Sequence, residues 1–295
     1  MKIEKLTKNI NGKQVLTEVC FSTELNEFIG LIGRNGSGKT SLFRTIAGHY
    51  LADSGDILIN GQSISAYPEL KTMIFYIDEQ THFLSSYSLK KIGKFYQNAY
   101  PNFNAEQFNE LLNGHNLPMN NSFRSMSKGM QGLFKIILAI TSNAPYLLLD
   151  EPFDGLDVIV KKNVIRLLLE NLSDGTRTVI ISSHNLNELE TLIDRALILK
   201  DATITQDYRL EEMRAQARKV QMVFRTKKVP SVIKENSKLL RVQGRVIIAV
   251  FENYTEEIER QIKEVEPVLL EELPLALEDL FEANLSRESD YQLFN

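Results

Sequence analysis

Gly33-Arg34-Asn35-Gly36-Ser37-Gly38-Lys39-Thr40 lies between an apolar run, Phe28-Ile29-Gly30-Leu31-Ile32, and a helix expected over Ser41 to Ala47. A glycine-rich loop between a buried strand and a helix is a phosphate cradle: Gly33, Gly36 and Gly38 allow backbone turns that let successive N–H groups converge on an anion. Lys39 adds a mobile positive charge for β- and γ-phosphates, Thr40 offers a hydroxyl to Mg²⁺, and the helix start contributes its partial positive charge. Arg34, Asn35, Ser37 and Ser41 complete the set expected to line the nucleotide. By itself this loop fits a kinase, a GTPase or a motor.

The strand signals outward from the loop are those of an α/β protein. Tyr146-Leu147-Leu148-Leu149 and Thr178 to Ser183 read as buried strands separated by a helix through Val158 to Leu172, the rhythm of a parallel sheet. Arg195 to Lys200 adds another strand. Asp56 to Ile64 alternates apolar residues around Asn60-Gly61, a two-residue hairpin signal in a strand-rich N-terminal part. Between about 81 and 144 the pattern turns helical, punctuated by Phe95, Tyr96, Tyr100, Phe103 and Phe108, and reads as a helical insertion. Beyond about Gln206 a basic stretch, a hairpin signal at Gln243-Gly244 and an acidic amphipathic end suggest a small α+β domain over 206–295.

The first buried strand ends in Asp150-Glu151-Pro152, where a fixed backbone aims two acids at little entropic cost. Asp150 would hold Mg²⁺ through its water shell, and Glu151 is positioned to take a proton from an attacking water. His184 closes the strand Thr178 to Ser183, 34 residues after Asp150.

With these motifs in this order, the chain over residues 1 to about 205 resembles the nucleotide-binding subunit of an ATP-binding cassette (ABC) transporter. The resemblance implies a P-loop α/β cassette with a mixed sheet, an N-terminal antiparallel β subdomain and the helical insertion. It implies ATP and Mg²⁺ as ligands, with Gln80 joining Thr40 and Asp150 at the metal and His184 as the switch histidine that hydrogen-bonds the γ-phosphate and orients water beside Glu151. Met126-Ser127-Lys128-Gly129-Met130 resembles the family signature, with Ser127 reading as a helix N-cap and Gly129 leaving room for a phosphate. Lys128, Met130 and Met126 depart from the usual glycine, glutamine and leucine. Phe153-Asp154-Gly155-Leu156-Asp157 resembles the turn by which one cassette touches another. Asn9-Ile10-Asn11-Gly12 stands where the family commonly has an aromatic for the base, so weak discrimination between ATP and GTP is expected.

The implied mechanism pairs two such subunits, identical or paralogous, head to tail around two ATP molecules, coupled to a separate transmembrane permease at the inner face of the cell membrane. Leu273 to Phe281 resembles the ends of bacterial export-type ATPases; periodicity alone reads it equally well as an amphipathic helix closing a small domain. A soluble cassette of translation or DNA repair is the competing function. Such relatives usually carry two cassettes or a long coiled coil, whereas 110 positions separate Thr40 from Asp150 here and no sustained heptad run appears.

Composition sets the remaining bounds. The 295 residues carry a net charge of −4 with 43% hydrophobic content, ordinary for a globular protein and contrary to a general nucleic-acid binder. Cys20 is the single cysteine, which excludes an intrachain disulfide and fits a reducing compartment. The start, Met1-Lys2-Ile3-Glu4-Lys5, lacks the apolar core of a secretory signal, and apolar runs fall well short of the roughly 20 residues that span a bilayer.

Overall fold

The structure, a computed structural model, describes residues 1–78, 84–172, 175–184 and 186–285. Two compact units divide the chain: Met1–Asn185 with Leu192–Asp207, and Leu186–Thr191 with Tyr208–Asn295.

In chain order the first unit contains β1 (Lys2–Ile10), β2 (Lys13–Ser22), β3 (Phe28–Ile32), α1 (Lys39–Ile46), β4 (Ser54–Ile59), β5 (Gln62–Ser63) and β6 (Ile74–Ile77). There follow α2 (Leu89–Ala99), α3 (Ala105–Gly114), α4 (Lys128–Thr141), β7 (Tyr146–Asp150), α5 (Val158–Leu172), β8 (Thr178–Ser183), β9 (Arg195–Lys200) and β10 (Thr203–Arg209), whose last two residues count with the second unit. β3, β7 and β8 are buried at every position, which is why they read as unbroken apolar runs: both faces of their sheet are covered. That sheet has the order β10-β9-β3-β8-β7-β6, with β6, β7, β8, β3 and β9 mutually parallel. β10 returns beside β9 through a tight turn at Asp201 and Ala202, both at positive φ.

A second, antiparallel sheet of order β2-β1-β4-β5 packs its apolar side chains, among them Leu6, Leu16, Val19 and Ile59, into one core with Leu31, Phe43 and Leu148. Asn60 and Gly61, at φ 52° and 79°, make the two-residue turn in which Ile59 pairs with Gln62, as the Asn-Gly signal predicts. The helical region is tied to β6 by rings: Phe75 lies 5.3 Å from Tyr96 and 5.1 Å from Tyr100, and the Tyr100 hydroxyl donates to the Ile74 carbonyl at 3.0 Å. Side chains of Ser88, Asn104 and Ser127 cap α2, α3 and α4.

Both the expected boundary at 205/206 and the division between the units at Asp207 and Tyr208 fall inside β10, a strand absent from the sequence expectations. Its residues alternate between half-buried and exposed, so its composition is polar enough to pass for a linker.

The second unit contains α6 (Leu210–Gln216), β11 (Arg218–Val223), α7 (Ser231–Asn236), β12 (Lys238–Gln243), β13 (Val246–Phe251), α8 (Glu256–Glu264), β14 (Leu269–Leu273) and α9 (Leu277–Leu285). From β11 to β14 the order is β-α-β-β-α-β, and the antiparallel sheet runs β12-β13-β11-β14, the split βαβ arrangement. Val220 and Met222 of β11 and Ile247, Ala249 and Phe251 of β13 form its core with Ile233 of α7 and Ile262 of α8. No helix among the described residues is long and apolar enough to cross a membrane.

Candidate nucleotide site

Parallel pairing of β3 with β8 and of β8 with β7 brings three strand ends to one edge of the sheet: Ile32 lies beside Ser183, and Ser182 beside Asp150. The loop 33–38 leaves the first of these ends, Asp150-Glu151 the third, and His184 the one between them. Ligands of open α/β sheets bind at such carboxyl ends.

The loop is shaped for an anion. Gly38 precedes α1 at φ 110°, and a Cβ there would stand 2.6 Å from the Val15 carbonyl oxygen, so glycine is required on both counts. Arg34, Asn35 and Gly36 are exposed, Ser41 and Thr40 half-buried, and Lys39 is 7% exposed. The Lys39 ammonium donates to the Gly33 carbonyl at 2.8 Å and lies 3.6 Å from Glu151 Oε1. The Ser37 hydroxyl is buried and, among the described residues, has no hydrogen-bond partner, an orphan polar atom inside the loop.

Glu151 adopts φ 46°, a left-handed conformation that side chains other than glycine rarely take. Its N–H holds it there, donating to the Ser182 carbonyl at 3.2 Å and the Ser182 hydroxyl at 3.0 Å. The carboxylate is thereby turned onto His184, whose Nδ1 lies 2.9 Å from Oε2 and whose main-chain N–H donates to the same oxygen at 3.2 Å. A carboxylate only accepts, so Nδ1 carries the hydrogen and Nε2 points its lone pair or proton elsewhere.

Asp150 is fully buried. Its Oδ1 accepts from the Ser182 hydroxyl at 2.6 Å and its Oδ2 from the Tyr76 hydroxyl at 3.3 Å. Burial pushes its carboxyl above the usual carboxylate range, against the opposing pull of the Ser182 and Thr40 hydroxyls. Among the described residues no cationic side chain pairs with it. A buried carboxylate without a positive partner fits a divalent cation, and Mg²⁺ in phosphate sites takes one or two carboxylates beside the phosphates. Thr40 and Asp150 are the described residues that would hold it; Gln80 lies outside the described residues.

An open cavity of about 650 Å³ gathers Asn35, Gly36, Gly38, Lys39, Thr40 and Ser41 with Glu151 and His184. The β1–β2 hairpin contributes Ile10 and Val15 to its wall, and the turn after β7 contributes Asp154.

The ABC transporter family profile matches residues 16–154. YtrB of Bacillus subtilis (strain 168), an ABC transporter ATP-binding protein, is 32% identical over 281 residues, 95% of this chain and 96% of that protein. This chain belongs to the ABC transporter ATP-binding proteins. Like them it is an ATP-hydrolysing transport subunit.

The lipopolysaccharide export system ATP-binding protein LptB of Haemophilus influenzae is 29% identical over 205 residues, 66% of this chain and 85% of that protein. The fold is shared with an ATP-binding cassette solved as a dimer in a post-hydrolysis state with ADP and Pi: TM-score 0.62, 20% identity, 71% of this chain and 98% of that one.

Within this ABC cassette the residues singled out in the sequence separate into two groups. Asn35, Gly36, Gly38, Lys39, Thr40 and Ser41 of the phosphate loop share the cavity with Glu151 and His184, whereas Gly33, Arg34, Ser37 and Asp150 are not among its lining residues. Ser127 and Gly129 do not line it: Ser127 is exposed, accepting from the Met130 N–H at 3.3 Å as the cap of α4, and Gly129 is half-buried, a Cβ there standing 3.2 Å from Val160. Asp157 caps α5 in the same way, accepting from the N–H groups of Ile159 and Val160 at 2.9 and 3.0 Å.

Ser182 and Tyr76 were not singled out in the sequence, although they position both acids. Ser182 stands two residues before His184 on a strand parallel to the one carrying Asp150, so aligning the two strand ends would have found it. Tyr76 sits on β6 beside Leu148 and carries no such signal.

Proposed function

We propose that two copies of this ABC subunit close head to tail on two ATP molecules and that this closure drives a separate membrane permease in export. The observation that carries the reading is the division of the site. One chain gathers Asn35, Gly36 and residues 38–41 of the phosphate loop with Glu151 and His184 in one cavity, while the capped, exposed start of α4 at Ser127 does not line it; in this proposal it completes the partner's site. The dimeric state named for the ADP-bound cassette and the export system named for LptB support dimerisation and direction respectively.

In the closed pair Lys39 and the N-terminus of α1 neutralise the β- and γ-phosphates, with Gly33, Gly36 and Gly38 presenting backbone N–H groups. Mg²⁺ held by Thr40 and Asp150, with Gln80, would supply further charge neutralisation. Glu151 takes the proton from the attacking water, and His184, fixed through Nδ1, offers Nε2 toward the γ-phosphate. Ser127 and Gly129 act on the opposite nucleotide. Residues 206–295 serve as an accessory domain, and the subunit sits at the inner membrane face through the permease.

The test is mass in solution. Glu151→Gln removes the base and keeps the phosphate contacts, so with ATP and Mg²⁺ it should elute by light scattering at twice its monomer mass. A variant that retains ATP and stays monomeric would refute the head-to-tail clamp.

A further inference from the structure

At one end of the second unit's sheet three connections meet: 224–230 after β11, the turn at Gly244 and Arg245, and 265–268 before β14. The register brings them together, because Val223 pairs with both Val246 and Leu269. The Phe224 N–H donates to the Arg245 carbonyl at 3.1 Å and the Val268 N–H to the Val223 carbonyl at 2.7 Å.

Arg225, Lys227, Lys228 and Arg245 are all exposed at this end, and among the described residues none of their side chains has a hydrogen bond or ion pair. Val268 and Leu269 project at the same end, 64% and 40% exposed. Two acids stand nearby: Glu264, held 3.9 Å from Arg260, and Glu266. Four uncommitted cations therefore face one uncommitted carboxylate in a chain whose net charge is −4.

Single exposed lysines or valines are ordinary on a surface. Their conjunction is not that of a solvated face: unpaired cations seek an anionic partner, while Val268 and Leu269 gain only by leaving water. A nucleic acid would satisfy the cations and leave the aliphatic pair unused, and it commonly stacks bases on exposed rings. The ring at this end, Phe224, is 4% exposed. An anionic bilayer satisfies both demands, with headgroups for the cations and an acyl boundary for the short aliphatics.

We propose that this end of the C-terminal unit docks on an anionic lipid surface, Arg225, Lys227, Lys228 and Arg245 over the headgroups and Val268 and Leu269 entering the boundary beneath them. Each cation close to such a surface strengthens partitioning about fivefold.

The experiment is flotation of the full chain with vesicles of phosphatidylcholine alone or mixed with phosphatidylglycerol. Binding to the mixed vesicles only, weakened by salt, is expected. The double variant Lys227→Ala, Lys228→Ala should bind roughly 25-fold more weakly, from two fivefold steps, and Val268→Ser with Leu269→Ser should bind severalfold more weakly at unchanged charge. Circular dichroism and ATP retention, measured on the same preparations, confirm that the variants are folded. Equal binding to both vesicle types, indifference to the lysine pair, or preferential capture of an oligonucleotide would overturn the proposal. Vesicle binding needs no nucleotide, so its failure in a parent chain that retains ATP sinks this inference alone, whereas a parent chain that binds the mixed vesicles without retaining ATP sinks the transporter reading alone.

Discussion

His184 and Glu151 are joined twice through one oxygen: Glu151 Oε2 lies 2.9 Å from the imidazole Nδ1 and accepts from the His184 main-chain N–H at 3.2 Å. The second bond is independent of the side chain, so replacing the imidazole leaves the carboxylate partly anchored. Glu151→Gln should lower kcat by roughly 10²- to 10⁴-fold, and His184→Ala by roughly 10²- to 10³-fold. Because the two act as one unit, the double variant should be no slower than about the worse single one. Steady-state phosphate release from the three variants checks this, and fully multiplicative losses would show that the two residues act separately.

Asp150 carries the pH prediction. Its carboxyl is raised by burial, so the folded chain binds a proton more tightly than the unfolded chain does. The penalty on stability builds as the pH rises from the ordinary carboxylate value to the raised one and is complete above it; below the ordinary value it disappears. Without nucleotide or magnesium, Asp150→Asn should therefore melt higher than the parent at neutral pH while losing activity, each ~1 kcal/mol gained raising Tm by roughly 2–4 °C. Calorimetry across a pH series should show the gap closing toward acid. A gap that widens there reverses the sign and removes the argument.

Gly38→Ala asks an L-residue to hold φ 110° with its Cβ 2.6 Å from the Val15 carbonyl. Backbone strain of this kind costs on the order of 1–3 kcal/mol, and relief comes only by moving the loop or the β1–β2 hairpin. Equilibrium dialysis should find ATP retention lost. A variant that keeps parental affinity would mean that the loop tolerates a shape quite different from the one described.

The wall that the β1–β2 hairpin gives the cavity is aliphatic. Ile10 and Val15 line the cavity, and His184 is the one ring among its lining residues. Stacking on an aromatic contributes roughly 1–3 kcal/mol per base, so Ile10→Tyr should tighten ATP by roughly 5- to 150-fold, and the parent should separate ATP from GTP poorly. Competition of the two against a fluorescent nucleotide measures both, and a strong parental preference for ATP would contradict the expectation.

The fold was legible where chemistry and burial wrote the same signal. Loop 33–40 needed its glycines, and the strands ending at Asp150 and Ser183 needed apolar residues on both faces; Val158–Leu172 carried an uninterrupted helical pattern. The split βαβ order of the second unit was not legible, since register between β11, β13 and β14 depends on pairings far apart in the chain. The tail divides where Pro274 interrupts it, with β14 ending at Leu273 and α9 starting at Leu277, so one amphipathic run reads as two elements. At the site, motif residues announced themselves while Ser182 did not. A serine closing an apolar strand acquires its meaning from the neighbour at its side, and a linear reading shows no neighbours.

One hydroxyl oxygen, that of Ser182, donates to Asp150 and accepts from the backbone of Glu151. The two acids consequently share a single hinge pin. A remote substitution that tilts the eighth strand by a fraction of an ångström will retune both at once, and drift in this chain can adjust neither acid without disturbing its twin.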